Sequence, residues 1–187
     1  MNQPFLILDL DETLIYATER DLASLPDFRV GPYAVYRRPH LTAFLEFCFA
    51  AFDVAVWTSA SHSYASEVAG HIFAARQLRF LWTGHRCTPR FDPETGERYD
   101  VKDLRKIRRL GIPLERVLMV DDSPEKLERS YGNHIRISPF EGDPADAELP
   151  LLAAYLRQIR DHPNYRALEK RLWRTMVSGS LGQASGY

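Results

Sequence analysis

The chain begins with a short apolar segment that runs directly into two carboxylates. Residues 5–8 read Phe-Leu-Ile-Leu, and Asp9 and Asp11 follow, two positions apart. An unbroken apolar run of this length predicts a strand buried on both faces of a parallel sheet. Positions i and i+2 of a strand point the same way, and ligands bind at the carboxyl ends of such strands, so both acids are predicted to face one site. Their charges repel, which requires a cation or a shared proton there; the simpler alternative is an acidic turn.

Two later strands are also predicted to end in polar residues. Residues 53–57 run into Thr58 and Ser59, and residues 116–120 run into Asp121 and Asp122. Helical patterns alternate with the strands, at residues 40–52, 63–75, 101–110, 146–160 and 165–176. This alternation predicts an α/β fold, a Rossmann-like parallel sheet with helices on both faces.

One stretch departs from the alternation and predicts a small β-hairpin insertion at residues 78–99. Residues 78–82 and 86–91 have strand composition, and residues 92–97, Asp-Pro-Glu-Thr-Gly-Glu, form a strong turn signal. No repeat or linker divides the rest, so residues 1–176 are predicted to form a single domain. Residues 177–187 are rich in Gly and Ser and are predicted to be a flexible tail.

Composition restricts the partners and the location that we expect. The formal net charge of −1 over 187 residues gives no basic field for nucleic acid, so no direct nucleic-acid binding is predicted. The first strand leaves no room for a signal peptide ahead of it, and no apolar run is long enough to span a bilayer. The two cysteines cannot form a disulfide framework, so the reducing cytoplasm is the default location, or the nucleus in a eukaryote. We also expect a monomeric protein without membrane contact.

Parallel strands would bring four carboxylates, a hydroxyl and an ammonium to one edge of the sheet: Asp9, Asp11, Asp121, Asp122, Thr58 and Lys102. The carboxylates suit Mg²⁺, and the hydroxyl and the ammonium suit a phosphate. Phosphoryl transfer needs mainly such positioning and charge stabilisation. Taken singly, each of these residues has an ordinary structural interpretation, as a strand-end hydroxyl, a solvated lysine or a helix cap. Their joint placement favours a site.

The same residues resemble the haloacid dehalogenase superfamily of aspartate-nucleophile phosphotransferases. Residues 9–13 match its DxDxT motif, and Thr58, Lys102 and the pair Asp121-Asp122 match its other three motifs. The likeness extends to a narrower branch, the small phosphatases of the RNA polymerase II C-terminal domain and their NIF-like relatives. It covers residues 4–160, with DLDETL at 9–14 and VKDL at 101–104 as its most specific parts. The chain differs in having His40 where the branch has Gly after Arg-Pro, and Asp122 where the branch often has Asn.

The resemblance implies a role for each residue. Asp9 would be the nucleophile and Asp11 the general acid and base, and Thr58, Ser59 and Lys102 would bind phosphate. Mg²⁺ would be held by the side chains of Asp9 and Asp122 and by the backbone carbonyl of Asp11, with Asp121 supporting through water. These roles predict a Mg²⁺-dependent phosphoric monoester hydrolase that forms an aspartyl-phosphate, acting on phosphoserine or phosphothreonine in a protein.

Two alternatives remain open from the sequence. The same residues would serve a phosphatase for small phosphomonoesters or nucleotides. A non-catalytic binding module on this fold is the second alternative, and its expected signature is the loss of Asp9 or Lys102, both of which are present.

Overall fold

The computed structural model of the protein describes residues 3–74 and 76–177. Within them ten strands are formed: β1 Phe5–Leu8, β2 Ile15–Thr18, β3 Phe28–Val30, β4 Tyr33–Arg37, β5 Asp53–Trp57, β6 Leu81–Trp82, β7 Thr88–Phe91, β8 Arg98–Val101, β9 Val117–Asp121 and β10 His134–Arg136. The helices are α1 Leu41–Ala51, α2 His62–Phe73, α3 Arg105–Arg108 and α4 Glu148–Ile159, with short 3₁₀ turns between them. None of these helices is long and apolar enough to cross a membrane.

Five parallel strands form the central sheet, in the order β10-β9-β1-β5-β6. β1 lies in the middle, with Leu8 opposite Val56 of β5 and Val120 of β9. All four of its side chains are buried, as expected for a strand covered on both faces. The order reverses at β1, and this switch point is where open α/β sheets bind ligands.

Alternating residues of the central strands pack into two separate cores. Leu6, Leu8, Val56 and Val120 share one core with the buried faces of α1, α2 and α4. Residues of opposite parity, such as Ile7 and Met119, share the other core with the short α3 and neighbouring turns. Both faces of the sheet are therefore covered, which confirms the predicted fold class.

Two small antiparallel sheets flank the central sheet. β2, β4 and β3 form a three-stranded antiparallel sheet after the first motif. β7 and β8 form a hairpin with Thr88 opposite Val101. The hairpin ends one residue before Lys102 and therefore delivers that lysine to the sheet edge.

Several predicted boundaries were wrong. Leu81 and Trp82 were assigned to the insertion, but they pair with β5, and the stacked rings of Phe80 and Trp82 cover this edge of the sheet. The helix predicted from residue 101 is only Arg105–Arg108, because residues 98–101 are held extended by β7. The helix predicted at 165–176 is replaced by a 3₁₀ turn at Tyr165–Ala167 and a helical turn at 173–177. Most of the predicted tail, residues 178–187, lies outside the described residues.

Candidate active site

Three neighbouring strands end side by side at the carboxyl edge of the central sheet. The Asp9 amide donates to the Val120 carbonyl at 3.0 Å, so the first carboxylate continues the pairing of β1 with β9. The Thr58 amide donates to the Trp82 carbonyl at 2.9 Å and continues β5 in the same way. Asp121 is itself the last residue of β9. The predicted convergence of the strand ends is therefore found.

A buried ammonium lies between two of these carboxylates. Lys102 Nζ is 2.7 Å from Oδ2 of Asp9 and 2.7 Å from Oδ2 of Asp121, and all three side chains are almost fully buried. Burial opposes the charge on Lys102, but attraction to the two carboxylates outweighs it and raises the lysine pKa above its usual range. One ammonium cannot neutralise both acids, and burial raises the pKa of Asp9 despite the nearby lysines.

A second lysine, which the sequence analysis missed, also faces Asp9. Lys126 lies on the 3₁₀ turn Pro124–Leu127, and its Nζ is 3.7 Å from Oδ2 of Asp9. Burial disfavours the charged form of Lys126, but the carboxylates of Asp9, Asp121 and Asp122 favour it and raise the pKa of the lysine. The sequence feature that could have identified Lys126 is its position in the turn that follows Asp122. The site thus contains two cations within reach of a transferring phosphoryl group.

The Asp11 carboxylate is turned away from the other acids, towards α2. Its Oδ1 accepts a 2.6 Å hydrogen bond from the phenol of Tyr64, and its Oδ2 lies 3.5 Å from Thr58 Oγ1. Burial raises the pKa of Asp11, while the bond from Tyr64 counteracts the rise. Asp11 is thereby held by hydrogen-bond partners of its own, separate from the lysine that pairs with Asp9. No role was predicted for Tyr64 from the sequence, although the predicted helix at residues 63–75 places this tyrosine in its first turn.

The remaining acids form a group of oxygen donors suited to a divalent cation. One carboxylate oxygen from each of Asp9, Asp121 and Asp122 lies within 4.8 Å of the other two. Both oxygens of Asp121 have partners, Lys102 Nζ and the Ser123 amide. Oδ1 of Asp122 is buried and has no hydrogen-bond partner. An orphaned carboxylate oxygen beside two further carboxylates fits a hard cation such as Mg²⁺, with Asp122 as a direct ligand.

The loop after β5 carries the predicted phosphate-binding hydroxyls. Thr58 Oγ1 accepts from the Ala60 amide at 3.1 Å, and Ser59 Oγ lies 3.9 Å from the Cys87 thiol. Gly84 supports this loop, because its amide donates to the Ala60 carbonyl at 2.9 Å. A Cβ at position 84 would lie 2.6 Å from the Ser59 carbonyl oxygen, so glycine is required there. Thr58 thus faces Asp11, whereas the Ser59 hydroxyl faces Cys87.

The loop that carries Asp11 is held from behind by a buried arginine. Arg38 pairs with both oxygens of Asp146 at 2.8 and 2.7 Å and donates to the Thr13 carbonyl at 3.0 Å. Glu12 has a φ of 54° in this loop, and its carbonyl accepts from the Phe140 amide at 2.7 Å. A left-handed residue that is not glycine costs about 1–2 kcal/mol. The loop after β1 is therefore fixed in shape by contacts remote in sequence.

The chain matches a known family over most of its length. A family model described as "NLI interacting factor-like phosphatase" matches residues 4–166. A CTD phosphatase-like protein of Invertebrate iridescent virus 3 is 30% identical over 158 residues, covering 72% of this chain and 83% of that protein. The CTD nuclear envelope phosphatase 1 homolog of Drosophila melanogaster is 29% identical over 182 residues, covering 89% of this chain and 71% of that protein.

Two solved structures share the fold of this chain. The RNA polymerase II CTD phosphatase Fcp1 superposes with a TM-score of 0.55 at 20% identity, covering 98% of this chain and 53% of that one. The fission yeast Fcp1 bound to beryllium fluoride gives a TM-score of 0.52 at 19% identity, covering 98% and 55%. The chain spans about half the length of these two proteins. At this identity the likeness carries the fold alone.

These relatives correct the predicted location. The cytoplasmic location was a default taken from composition. Similar proteins from Drosophila melanogaster and Xenopus tropicalis are named for the nuclear envelope, and a fission yeast relative is named a nuclear envelope morphology protein. The cytoplasmic prediction was therefore wrong, because composition does not encode where a protein is retained.

Proposed function

The chain belongs to the NLI interacting factor-like phosphatase family, and we propose that it hydrolyses phosphoserine or phosphothreonine in proteins through an aspartyl-phosphate on Asp9. One observation carries the proposal. Asp9 is a buried carboxylate flanked by Lys102 at 2.7 Å and Lys126 at 3.7 Å, with a second, separately held carboxylate two residues on. This arrangement suits a nucleophile that receives a phosphoryl group between two positive charges.

In the first step a carboxylate oxygen of Asp9 attacks phosphorus, and the bond from phosphorus to the serine oxygen breaks. Asp11 gives its proton to the departing oxygen, so that serine leaves as a neutral alcohol. Burial raises the pKa of Asp11, which keeps a proton available for this transfer. Lys102, Lys126 and the Thr58 hydroxyl stabilise the charge on the phosphoryl oxygens.

In the second step water attacks the phosphorus of the aspartyl-phosphate. Asp11, now ionised, takes a proton from that water. The bond between phosphorus and the Asp9 oxygen breaks, free phosphate leaves, and both acids return to their starting states. Tyr64 holds Asp11 in one orientation through both steps, because its phenol occupies one of the two carboxylate oxygens.

Mg²⁺ would be held by the side chains of Asp9 and Asp122 and by the backbone carbonyl of Asp11. Asp121 would support it from its bonds to Lys102 and Ser123. The bound ion would supply positive charge to the phosphoryl group and offset the excess of carboxylates over lysines in the site. The unpartnered Oδ1 of Asp122 is the observation that supports this assignment.

A protein substrate is favoured by the small size of the elements beside the site. In the described part of the chain these are the three-stranded sheet β2-β4-β3 and the hairpin β7-β8, and neither is a separate cap domain. The names of the relatives agree with this proposal, since the similar proteins are named CTD phosphatases. A monomeric state without nucleic-acid contact remains a prediction for this chain.

The test compares three substrate classes under one set of conditions. Phosphoserine peptides, a panel of phosphorylated metabolites and nucleotides, and p-nitrophenyl phosphate would be hydrolysed by the purified protein with Mg²⁺ and after chelation. We expect Mg²⁺-dependent turnover with the highest kcat/KM on peptides, and none in folded Asp9→Asn. Higher kcat/KM on a metabolite would indicate a small-molecule phosphatase, and no turnover of any substrate would indicate a binding module.

A further inference from the structure

A cleft of about 610 Å³ lies beside the candidate active site, between β10 with its preceding turn and the segment 166–171. Four arginine and lysine side chains line it together with Glu169, namely Arg136, Arg166, Lys170 and Arg171, and Tyr131 stands at its rim with 81% of its surface exposed. We call it the basic cleft. The reaction proposed above uses none of these residues.

The positive charge of the basic cleft is not neutralised within the described residues. Neither Arg136 nor Arg166 forms an ion pair with a carboxylate, whereas Arg171 at the same cleft is paired with Glu169 at 2.6 Å. The strongest sign is Lys170, which is only 6% exposed. Its Nζ donates to two neutral backbone carbonyls, those of Tyr165 at 2.6 Å and Leu168 at 2.9 Å.

A buried ammonium bound only to neutral carbonyls is an expensive arrangement. Removing a charge from water costs free energy unless an opposite charge replaces the lost hydration. Burial lowers the pKa of Lys170 to about 8, with Arg166 acting in the same direction, although attraction to the nearby Glu169 carboxylate opposes the shift. An anion in the cleft would offset this cost and would also engage the two guanidinium groups.

The basic cleft is separated from the nucleophile by a single turn of chain. Arg136 is opposite Asp121 in the pairing of β10 with β9, and the ring of His134, which also lines the cleft, donates from Nε2 to the Asp121 carbonyl at 2.9 Å. Pro124 forms part of the cleft wall, while Lys126 on the same 3₁₀ turn faces Asp9. An extended peptide advances about 3.4 Å per residue, so a few residues would connect the two sites.

We propose that the basic cleft binds a second phosphate of a multiply phosphorylated protein substrate while the first phosphate occupies the site at Asp9. This inference rests on the proposed function. A phosphate fits better than a carboxylate, because it carries nearly two charges at pH 7 and three acceptor oxygens, which can engage two guanidinium forks and an ammonium together. The exposed ring of Tyr131 at the rim offers a surface for the peptide that carries it.

The test uses synthetic peptides with one reactive phosphoserine and a second phosphoserine placed two to six residues away on either side. For each spacing, kcat/KM is expressed as the ratio of the doubly to the singly phosphorylated peptide, so that a general change in activity cancels. We expect at least one spacing at which the ratio is about tenfold, the effect of one charge-assisted contact. The ratio should fall to about one in the Arg136→Ala/Arg166→Ala double variant.

The matched control is Arg79→Ala. Arg79 is an exposed arginine that lies two residues before β6, at the opposite edge and the amino end of the sheet, and its removal should leave the ratio unchanged. A wild-type ratio near one at every spacing would overturn the proposal, and so would a preference that survives in the double variant. The proposal would also be overturned if peptides with glutamate in place of the second phosphoserine gave the same kcat/KM ratio.

Binding to folded Asp9→Asn, followed by fluorescence anisotropy of the labelled peptides, separates the cleft from the reaction. Tighter binding of the doubly phosphorylated peptide that is lost with the two arginines would support the cleft. If wild-type protein hydrolysed no substrate while this binding difference remained, the proposed reaction would fail and phosphate binding in the cleft would stand. Equal binding of both peptides to Asp9→Asn would overturn the cleft itself.

Discussion

The phenol of Tyr64 donates a 2.6 Å hydrogen bond to Oδ1 of Asp11, and so the first turn of α2 fixes the side chain that we propose as the acid and base of the reaction. Burial stabilises the neutral form of Asp11, whereas the hydrogen bond from Tyr64 stabilises the ionised form. Tyr64 therefore acts as a positioning residue that also adjusts a pKa. The two effects can be separated by kinetics.

Replacing Tyr64 with Phe should change the pH dependence of the reaction. Asp11 must be protonated to donate its proton, so kcat/KM on a phosphoserine peptide falls as pH rises through the pKa of Asp11. Loss of the phenol raises that pKa, and the fall should move to higher pH, with a maximum rate lowered about tenfold by the freed carboxylate. The control is Tyr33→Phe, whose ring packs edge-on against Tyr64. An unchanged pH profile in Tyr64→Phe would contradict the positioning role.

Replacing Asp11 with Asn should slow the reaction most for substrates with poor leaving groups. A serine alkoxide is strongly basic and needs a proton to leave, whereas nitrophenolate needs it far less. Asp11→Asn should therefore lose on the order of a hundred- to ten-thousand-fold in the first step on a serine phosphopeptide, and much less on p-nitrophenyl phosphate. Single-turnover kinetics measure that step. Equal losses on both substrates would indicate a disturbed metal site instead.

Magnesium should stabilise the folded protein through Asp122. A ligand that binds the folded state alone raises the free energy of unfolding, by about 2.7 kcal/mol at a concentration a hundred times its Kd. The thermal unfolding midpoint of the wild-type protein should thus rise with Mg²⁺, and that of Asp122→Ala should rise far less. The exposed Asp161→Ala serves as the control. A wild-type midpoint that does not respond to Mg²⁺ would refute the metal assignment.

Lys102 should matter to stability as well as to turnover. Its removal leaves Asp9 and Asp121 buried without the ammonium that joins them. Lys102→Met should lower the free energy of unfolding by about 3–5 kcal/mol in urea with chelator present. Asp9→Asn should lower it by less than about 1 kcal/mol, because Lys102 keeps its pair with Asp121. If both variants lost a similar free energy of unfolding, the charge of Lys102 would not be what holds Asp9, Lys102 and Asp121 together.

Much of the site could be predicted because its residues follow directly from strand ends. Asp9, Thr58 and Asp121 are each fixed by a buried parallel strand, whose apolar run is readable, and Lys102 belongs to a specific motif. Lys126 and Tyr64 escaped because their roles depend on the direction of a turn and of a helix, which the sequence pattern does not give. The basic cleft escaped for the same reason, since it joins segments about 30 residues apart in the chain.

The helical boundaries failed where tertiary pairing overrides local propensity. Residues 98–101 precede a helical pattern but pair as a strand with β7. His40 stands where the family branch that the chain resembles has Gly. It adopts a left-handed conformation, with a φ of 66°, at the start of α1.

The most direct test of the account is the identity of the covalent intermediate. Wild-type protein and Asp11→Asn would be mixed with p-nitrophenyl phosphate in Mg²⁺, because its first step needs little help from Asp11. The samples would be quenched in acid within milliseconds, trapped by borohydride reduction and mapped by mass spectrometry. The account predicts modification at Asp9 alone, with more accumulated in Asp11→Asn because its second step is slower. Turnover without any modified residue, or modification at another side chain, would contradict the assignment of Asp9 as the nucleophile.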